Sequence, residues 1–272
     1  MKKIIYLFLI IASCILPFNT SATSSQSKNT VYIYQDDGAG PECVRQTIAS
    51  LQETLPCNYE IKTINAQEII SKNWSNNAAL LIIPGGADSF YAKKLNGLGN
   101  QIIKTYIKHG GSYLGICAGS YYGSSCIEFD KGGASEILAE RELAFFPGKD
   151  VGPILAKYDY LSNSGARAAK IRLKLDTLNQ ATVYYNGGGY FKDASTYVGV
   201  VVIGYYANDL PAIVQMNYGR GKVILSGVHF EYNPYLLDSN DPYLIAILPD
   251  LEESNASRKS LFKIILHELG LK

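Results

Sequence analysis

Apolar and polar positions along this chain switch between two periods, and the switches mark out its elements. The run "TVYIYQ" (30–35) is β-branched and aromatic and predicts a strand. After the loop "DDGAGPE", the stretch "PECVRQTIASLQETL" (41–55) predicts a helix, with Pro41 suited to its first turn. Val44, Ile48, Leu51 and Leu55 recur there at three- and four-residue spacing. "YEIKTI" reads as a second strand and "AQEIISK" as a short helix. "AALLIIP" (78–84) is apolar without interruption, as a strand buried on both faces should be. "GNQIIKTYIKHG" is amphipathic and ends on glycine, and "GSYLGI" is the next strand, with Cys117 at its end. Strands alternating with helices predict an α/β fold with a mainly parallel sheet, functional groups lying at the C-terminal edge of the strands.

From about Cys126 to Leu225 the pattern turns β-rich: "ATVYYNGGGYF", "YVGVVVIGYY", "PAIVQMNYG" and "GKVILSGV" are separated by Gly, Pro and Asn. These predict additional strands in the C-terminal half, some antiparallel, extending the same sheet. A closing helix is expected at "RKSLFKIILHELG". The 21 tyrosines are read as amphipathic strand residues rather than as a dedicated binding surface.

The N-terminus changes this picture. Lys2 and Lys3 precede the apolar stretch Ile4–Phe18, and small polar residues follow. Residues 1–22 are therefore expected to be a secretory leader cut after Ala22, residues 23–29 a linker, and residues 30–272 one domain. The apolar run falls short of the ~20 residues of a membrane span. "IASC" (11–14) also resembles a lipoprotein box, an alternative that leaves a lipidated Cys14 at the mature N-terminus. Apolar residues past Cys14 favour ordinary cleavage, so the expected location is periplasmic or secreted, with lipid anchorage at Cys14 as the alternative.

Lys and Arg number 25 against 24 Asp and Glu, which leaves no basic footprint for nucleic acid or for an anionic membrane. Beyond the leader stand Cys43, Cys57, Cys117 and Cys126. A helix between the first two separates them by ~20 Å, and one between the last two by ~13 Å. A disulfide needs α-carbons closer than about 7 Å, so neither sequential pair is a natural bridge. Cys43 and Cys117 do share the strand-end edge, which leaves a contact or disulfide between them open. The cysteines and histidines lack metal-ligand spacing, so neither metal nor cofactor is expected.

Chemistry concentrates at "GICAG" (115–119), where Cys117 sits at a strand-to-helix junction with glycines two residues to either side. This is the nucleophile-elbow pattern with cysteine for serine: the sharp turn strains the nucleophile's backbone, and side chains at the flanking positions would collide. The amide of Ala118 then faces the position of a developing oxyanion. A buried, inert cysteine is the bland alternative. Of three histidines, His109 ends a helix and His267 lies on the terminal helix, where capping and packing explain them. His229 follows the strand "GKVILSGV", and Glu231, two residues on, shares its face and can orient the ring. "IIPGGADSFY" places Gly85 and Gly86 past a buried strand, where their amides offer further oxyanion donors. "NGGGY" (186–190) is not a phosphate loop, since no strand–glycine–helix context surrounds it.

The motifs "PGGAD" (84–88), "GICAGSYYGSSCIEF" (115–129), "RELAFFPG" (141–148), "SGARA" (164–168), "YYNGGGYF" (184–191) and "GRGKVILSGVHFEYNP" (219–234) span most of the chain. In this order they resemble the class I glutamine amidotransferase-like superfamily, and more specifically the N-terminal domain of eukaryotic-type biotin–protein ligases. The resemblance implies a flavodoxin-like three-layer α/β sandwich carrying Cys117, His229 and Glu231 as a Cys-His-Glu triad. It departs from those ligases in that no ligase catalytic domain or ammonia-accepting synthase domain is found. Asp36 and Asp37 are expected near Cys117, where they would oppose a thiolate or bind an amine, and with Asp88 they are the candidate substrate-binding carboxylates. The expected function is an exported thiol amidohydrolase acting on a small amide or γ-glutamyl-like substrate. The alternative is a non-catalytic ligand-binding or regulatory module of the same fold. The oligomeric state stays open.

Overall fold

The computed structural model describes Met1, residues 28–71 and residues 73–272. The rest of the leader, Cys14 and linker residues 23–27 lie outside the described residues. The first half follows the predicted alternation, with one helix, α3, added to it: β1 (Thr30–Tyr34), α1 (Pro41–Thr54), β2 (Glu60–Ile64), α2 (Ala66–Ser71), β3 (Ala78–Ile83), α3 (Asp88–Leu95), α4 (Leu98–Lys108) and β4 (Ser112–Ile116). Then come α5 (Ala118–Gly123), β5 (Ser124–Phe129), β6 (Ile137–Glu140), β7 (Phe146–Gly152), β8 (Arg167–Leu175), β9 (Leu178–Tyr185), β10 (Tyr190–Phe191), β11 (Val200–Tyr206), β12 (Pro211–Tyr218) and β13 (Gly221–Ser226). Helices α6 (Pro242–Ile245), α7 (Leu248–Glu253) and α8 (Asn255–Glu268) close the chain.

The main sheet has nine strands in the order β2-β1-β3-β4-β13-β12-β11-β8-β9. Strand residues alternate between two cores, as a period of two requires. Val31, Ile33, Leu80, Ile82, Leu114 and Ile116 meet α1 and α8 on one face. Tyr34, Leu81, Ile83 and Tyr113 meet α2, α3, α4 and α5 on the other. The sandwich is thus an α/β fold with helices on both faces. Leu80 to Ile83 are fully buried, as the unbroken apolar run of β3 predicts.

Two expectations need correction. The parallel sheet holds only in part: β2, β1, β3, β4 and β13 run parallel, whereas β12, β11, β8 and β9 are joined antiparallel. Short turns link β8 to β9, β11 to β12 and β12 to β13, and a tight turn permits only antiparallel pairing. Nor do all the extra strands extend this sheet, because β10-β7-β5-β6 form a second, four-stranded sheet. Phe146 and Phe191 of that sheet share the core of Ala118 and Tyr122, so it covers the helix that follows Cys117. That helix is also shorter than expected and ends at Gly123, which puts Cys126 in a strand. The Ser124 hydroxyl folds back onto the Ser120 carbonyl at 2.9 Å, and an extended chain begins there.

The packing of α5 on β3 leaves no room at Gly119, where an added Cβ would lie 2.0 Å from the Ile83 carbonyl oxygen. Gly119→Ala should therefore cost more than ~2 kcal/mol in denaturant unfolding. Gly132→Asn, at an open left-handed position with nothing within 4 Å, should cost less than ~1 kcal/mol.

Candidate active site

Cys117 occupies the one-residue turn between β4 and α5 with φ 52° and ψ −107°, a conformation costing a side-chain-bearing residue ~1–3 kcal/mol. The flanking glycines make the turn possible: a Cβ at Gly115 would lie 2.4 Å from the Gly119 carbonyl oxygen. The Cys117 amide donates to the Ser226 carbonyl at the end of β13 (2.7 Å), so both strands deliver their chains to one edge. Three residues beyond Ser226, the His229 amide donates to the Tyr184 carbonyl (2.8 Å) and ties this segment to the end of β9.

His229 Nδ1 is 2.7 Å from Glu231 Oε1, and both side chains are buried. Cys117 also acts electrostatically on the His229 ring, and its thiol donates to the Asn186 carbonyl oxygen at 3.6 Å. Burial disfavours imidazolium, but the Glu231 carboxylate and the contact with Cys117 outweigh it and hold the His229 pKa well above its ordinary value. Tyr184 and Tyr232 flank the ring edge-on at 5.6 and 4.7 Å between centroids. His109, by contrast, closes α4 with Nδ1 2.8 Å from the Thr105 carbonyl oxygen, and His267 is exposed on α8.

A cavity of about 460 Å³ opens beside Cys117 and His229. Gly86 and Ala118 lie in its wall, and among the described residues neither backbone amide donates a hydrogen bond. Gly85 stands behind the wall: a Cβ there would be 2.8 Å from both Cys43 Sγ and His229 Cε1, and 3.5 Å from Cys117 Cβ. Its lack of a side chain lets those three groups converge. Asp88 reaches the wall but is already paired with Arg141 at 2.7 Å, and burial, only partly offset by Arg141, raises its pKa.

Asp36 and Asp37 do not take the place expected for them. Asp36 accepts from the Ala66 amide at the start of α2 (3.0 Å), and Lys94 pairs with Asp36 at 3.5 Å and Asp37 at 3.0 Å. These partners draw both carboxylates away from the cavity wall. All four described cysteines are free; Cys43 and Cys117 both line the cavity, and the Cys43 sulfur is 3.1 Å from the Tyr232 hydroxyl.

A profile described as "Biotin-protein ligase, N terminal" matches residues 29–272. The chain belongs to the biotin–protein ligase N-terminal family. It is 32% identical over 254 residues to a biotin–protein ligase of Schizosaccharomyces pombe, covering 89% of this chain and 38% of the ligase. An "uncharacterized protein" of Chlamydia muridarum is 35% identical over 246 residues, covering 88% of this chain and 94% of its own. Among solved structures, a ThuA-like protein of Bacteroides uniformis superposes with a TM-score of 0.52 at 8% identity, covering 91% of this chain and 94% of that one, which shows the fold alone.

Within this family member the sequence pattern missed two contributors. Asn186 and Gly187 of "NGGGY" line the cavity, and Gly188 passes so close to β13's exit that a Cβ would lie 1.7 Å from the Gly227 carbonyl oxygen. Each glycine of the run meets a segment distant in the chain: Gly187 the Tyr158 ring, Gly188 the Gly227 backbone and Gly189 the Asp150 carboxylate. Behind Cys117, the Ser120 hydroxyl lies 2.8 Å from the Cys117 carbonyl oxygen and 2.8 Å from Asp150 Oδ2. Asp150 is fully buried, and burial, against the Ser120 hydrogen bond, pushes its pKa well above the usual carboxylate range. A protonated Asp150 can donate to Ser120, which frees the hydroxyl proton for Cys117.

Two outcomes follow. Burial pushes the Cys43 thiol up to about 11, despite the nearby His229, so Cys43 should stay a neutral thiol at pH 7.5. Peptide mapping after brief iodoacetamide treatment should find exposed Cys57 labelled at least ~10-fold faster than Cys43. Because the folded pKa of Asp150 is raised, its burial weakens the fold increasingly as pH rises above the unfolded carboxylate value of ~3.9. Asp150→Asn should therefore raise the melting temperature at pH 8, with the gain shrinking to nothing below about pH 4.

Proposed function

We propose that this chain is an exported, cysteine-dependent amidohydrolase. The observation that carries the reading is the meeting of Cys117, in its strained turn, with a buried His229 backed by Glu231 at 2.7 Å, on the wall of a cavity. In this reading His229 holds the proton of Cys117, and the sulfur attacks the carbonyl carbon of a bound amide, forming a carbon–sulfur bond. The amides of Gly86 and Ala118 receive the oxyanion. The carbon–nitrogen bond then breaks, and His229 returns the proton to the leaving amine. Water attacks the thioester, giving a carboxylic acid and regenerating Cys117. Glu231 orients the ring and stabilises imidazolium throughout.

Export rests on Lys2, Lys3 and the apolar stretch Ile4–Phe18, with cleavage after Ala22 or lipidation of Cys14 as the two routes. Among the described residues no helix is long and apolar enough to cross a membrane.

Iodoacetamide kinetics test the reading. Cys117 should alkylate at least ~10-fold faster than N-acetylcysteine at pH 6.5, because the buried His229–Glu231 pair beside it is placed to take its proton as the sulfur attacks. The advantage should persist above the ordinary histidine value of ~6.5, since the His229 pKa is raised, and disappear only where His229 deprotonates. His229→Ala should remove it, and Glu231→Gln should reduce it. A wild-type rate no faster than the free thiol, unchanged in His229→Ala, would return the cavity to ligand binding without chemistry.

A further inference from the structure

The walls of the cavity speak to what it holds, on the reading that Cys117 is the nucleophile. Within the wall Tyr121, Phe129, Tyr158 and Tyr160 form a continuous edge-to-face ladder, with successive centroids 5.6, 5.9 and 4.8 Å apart. Tyr184 and Tyr232, also in the wall, stack at 4.5 Å with planes 5° apart. All six line the cavity. Such ring-on-ring contacts fix the rings before anything binds, so a flat apolar group meets a surface that loses little entropy on ordering.

The charged side chains of the wall are engaged within the protein. Arg45 grips Glu42 through two bonds of 2.8 and 2.6 Å and the Leu236 carbonyl at 2.7 Å. Asp88 is held by Arg141, and Asp238 accepts from the Asn240 amide at 2.8 Å. Among the described residues the wall's cationic side chains, Arg45 and His229, are already paired with Glu42 and Glu231, so a zwitterionic amino acid would have to compete for them with its carboxylate on leaving water. The volume of about 460 Å³ lies in the range of small-molecule sites.

We infer that the site takes an uncharged amide carrying an aromatic or similarly flat apolar group, seated against the rings of the Tyr158–Tyr160 ladder and the Tyr184–Tyr232 stack that line the cavity. It excludes free amino acids such as glutamine. Tyr160, half-exposed at the end of the ladder, is the specificity residue most open to substitution without unfolding.

Three chloroacetamides with one warhead test this: N-benzyl, N-carboxymethyl and N-(2-aminoethyl). Each displaces chloride from carbon as sulfur bonds to it. The alkylation rate of Cys117, read by peptide mass spectrometry, is divided by that of N-acetylcysteine with the same probe. The normalised benzyl rate should exceed both charged probes by at least about tenfold. Tyr160→Ala should cut that preference severalfold. Equal normalised rates that still fall in His229→Ala would overturn the substrate class while leaving the nucleophile standing. A preference for the carboxymethyl probe that Arg45→Gln removes would overturn it too, by showing that Arg45 leaves Glu42 for the ligand. Rates no faster than N-acetylcysteine for every probe would sink both.

Discussion

Parallel pairing of β4 with β13 is the constraint on which the site depends. The register runs Lys222 to Ser112 through Ser226 to Ile116, so two segments more than a hundred residues apart leave the sheet at one level. Cys117 follows one strand and the His229–Glu231 segment the other, and the 2.7 Å bond from the Cys117 amide to Ser226 is the last rung of that ladder. A slip of one residue would turn the sulfur to the opposite face, since strand side chains alternate. Buried Leu80–Ile83, β4 and Val223–Ser226 exclude such a slip, because every register shift would carry core residues out of both apolar layers at once.

The site itself weakens the fold. Cys117 holds a strained backbone, and Glu231 is wholly buried with its Oε2 unpartnered. Buried charge pairs seldom repay their desolvation, so the surroundings must hold this one in place. Ser50 of α1 donates to the Glu231 carbonyl at 2.6 Å, and Arg258 of α8 donates to the Phe230 carbonyl at 3.0 Å. Burial depresses the Arg258 pKa, with Glu53 and Glu231 acting the other way. The two helices of one layer thus hold the backbone of the His229–Glu231 segment itself, at the carbonyls of Phe230 and Glu231.

Aromatic residues play two parts that composition does not separate. Tyr34 and Tyr113 are core strand residues packed on the helical layer, as expected of amphipathic strand tyrosines, and Tyr91 of α3 and Tyr122 of α5 meet them from the helices. Tyr158, Tyr160, Tyr184 and Tyr232 instead face a cavity, against the expectation that the tyrosines make no dedicated surface. The second sheet accounts for part of the difference, since Phe129 at the end of β5 carries the ladder onto which Tyr158 and Tyr160 are laid.

The order of elements through β4, the glycine-flanked turn at Cys117, the pairing of His229 with Glu231 and the family were legible in the sequence, because each is written in local spacing. Period, turn chemistry and i, i+2 facing need no knowledge of distant segments. What the tertiary structure decided involves residues far apart in the chain. Asp36 and Asp37 turned to Lys94 and to the start of α2, β5 to β7 and β10 left the main sheet, and "NGGGY" proved to be a backbone crossing against Gly227. Competition among partners that meet only on folding settled each of these, and a linear pattern carries no term for that competition.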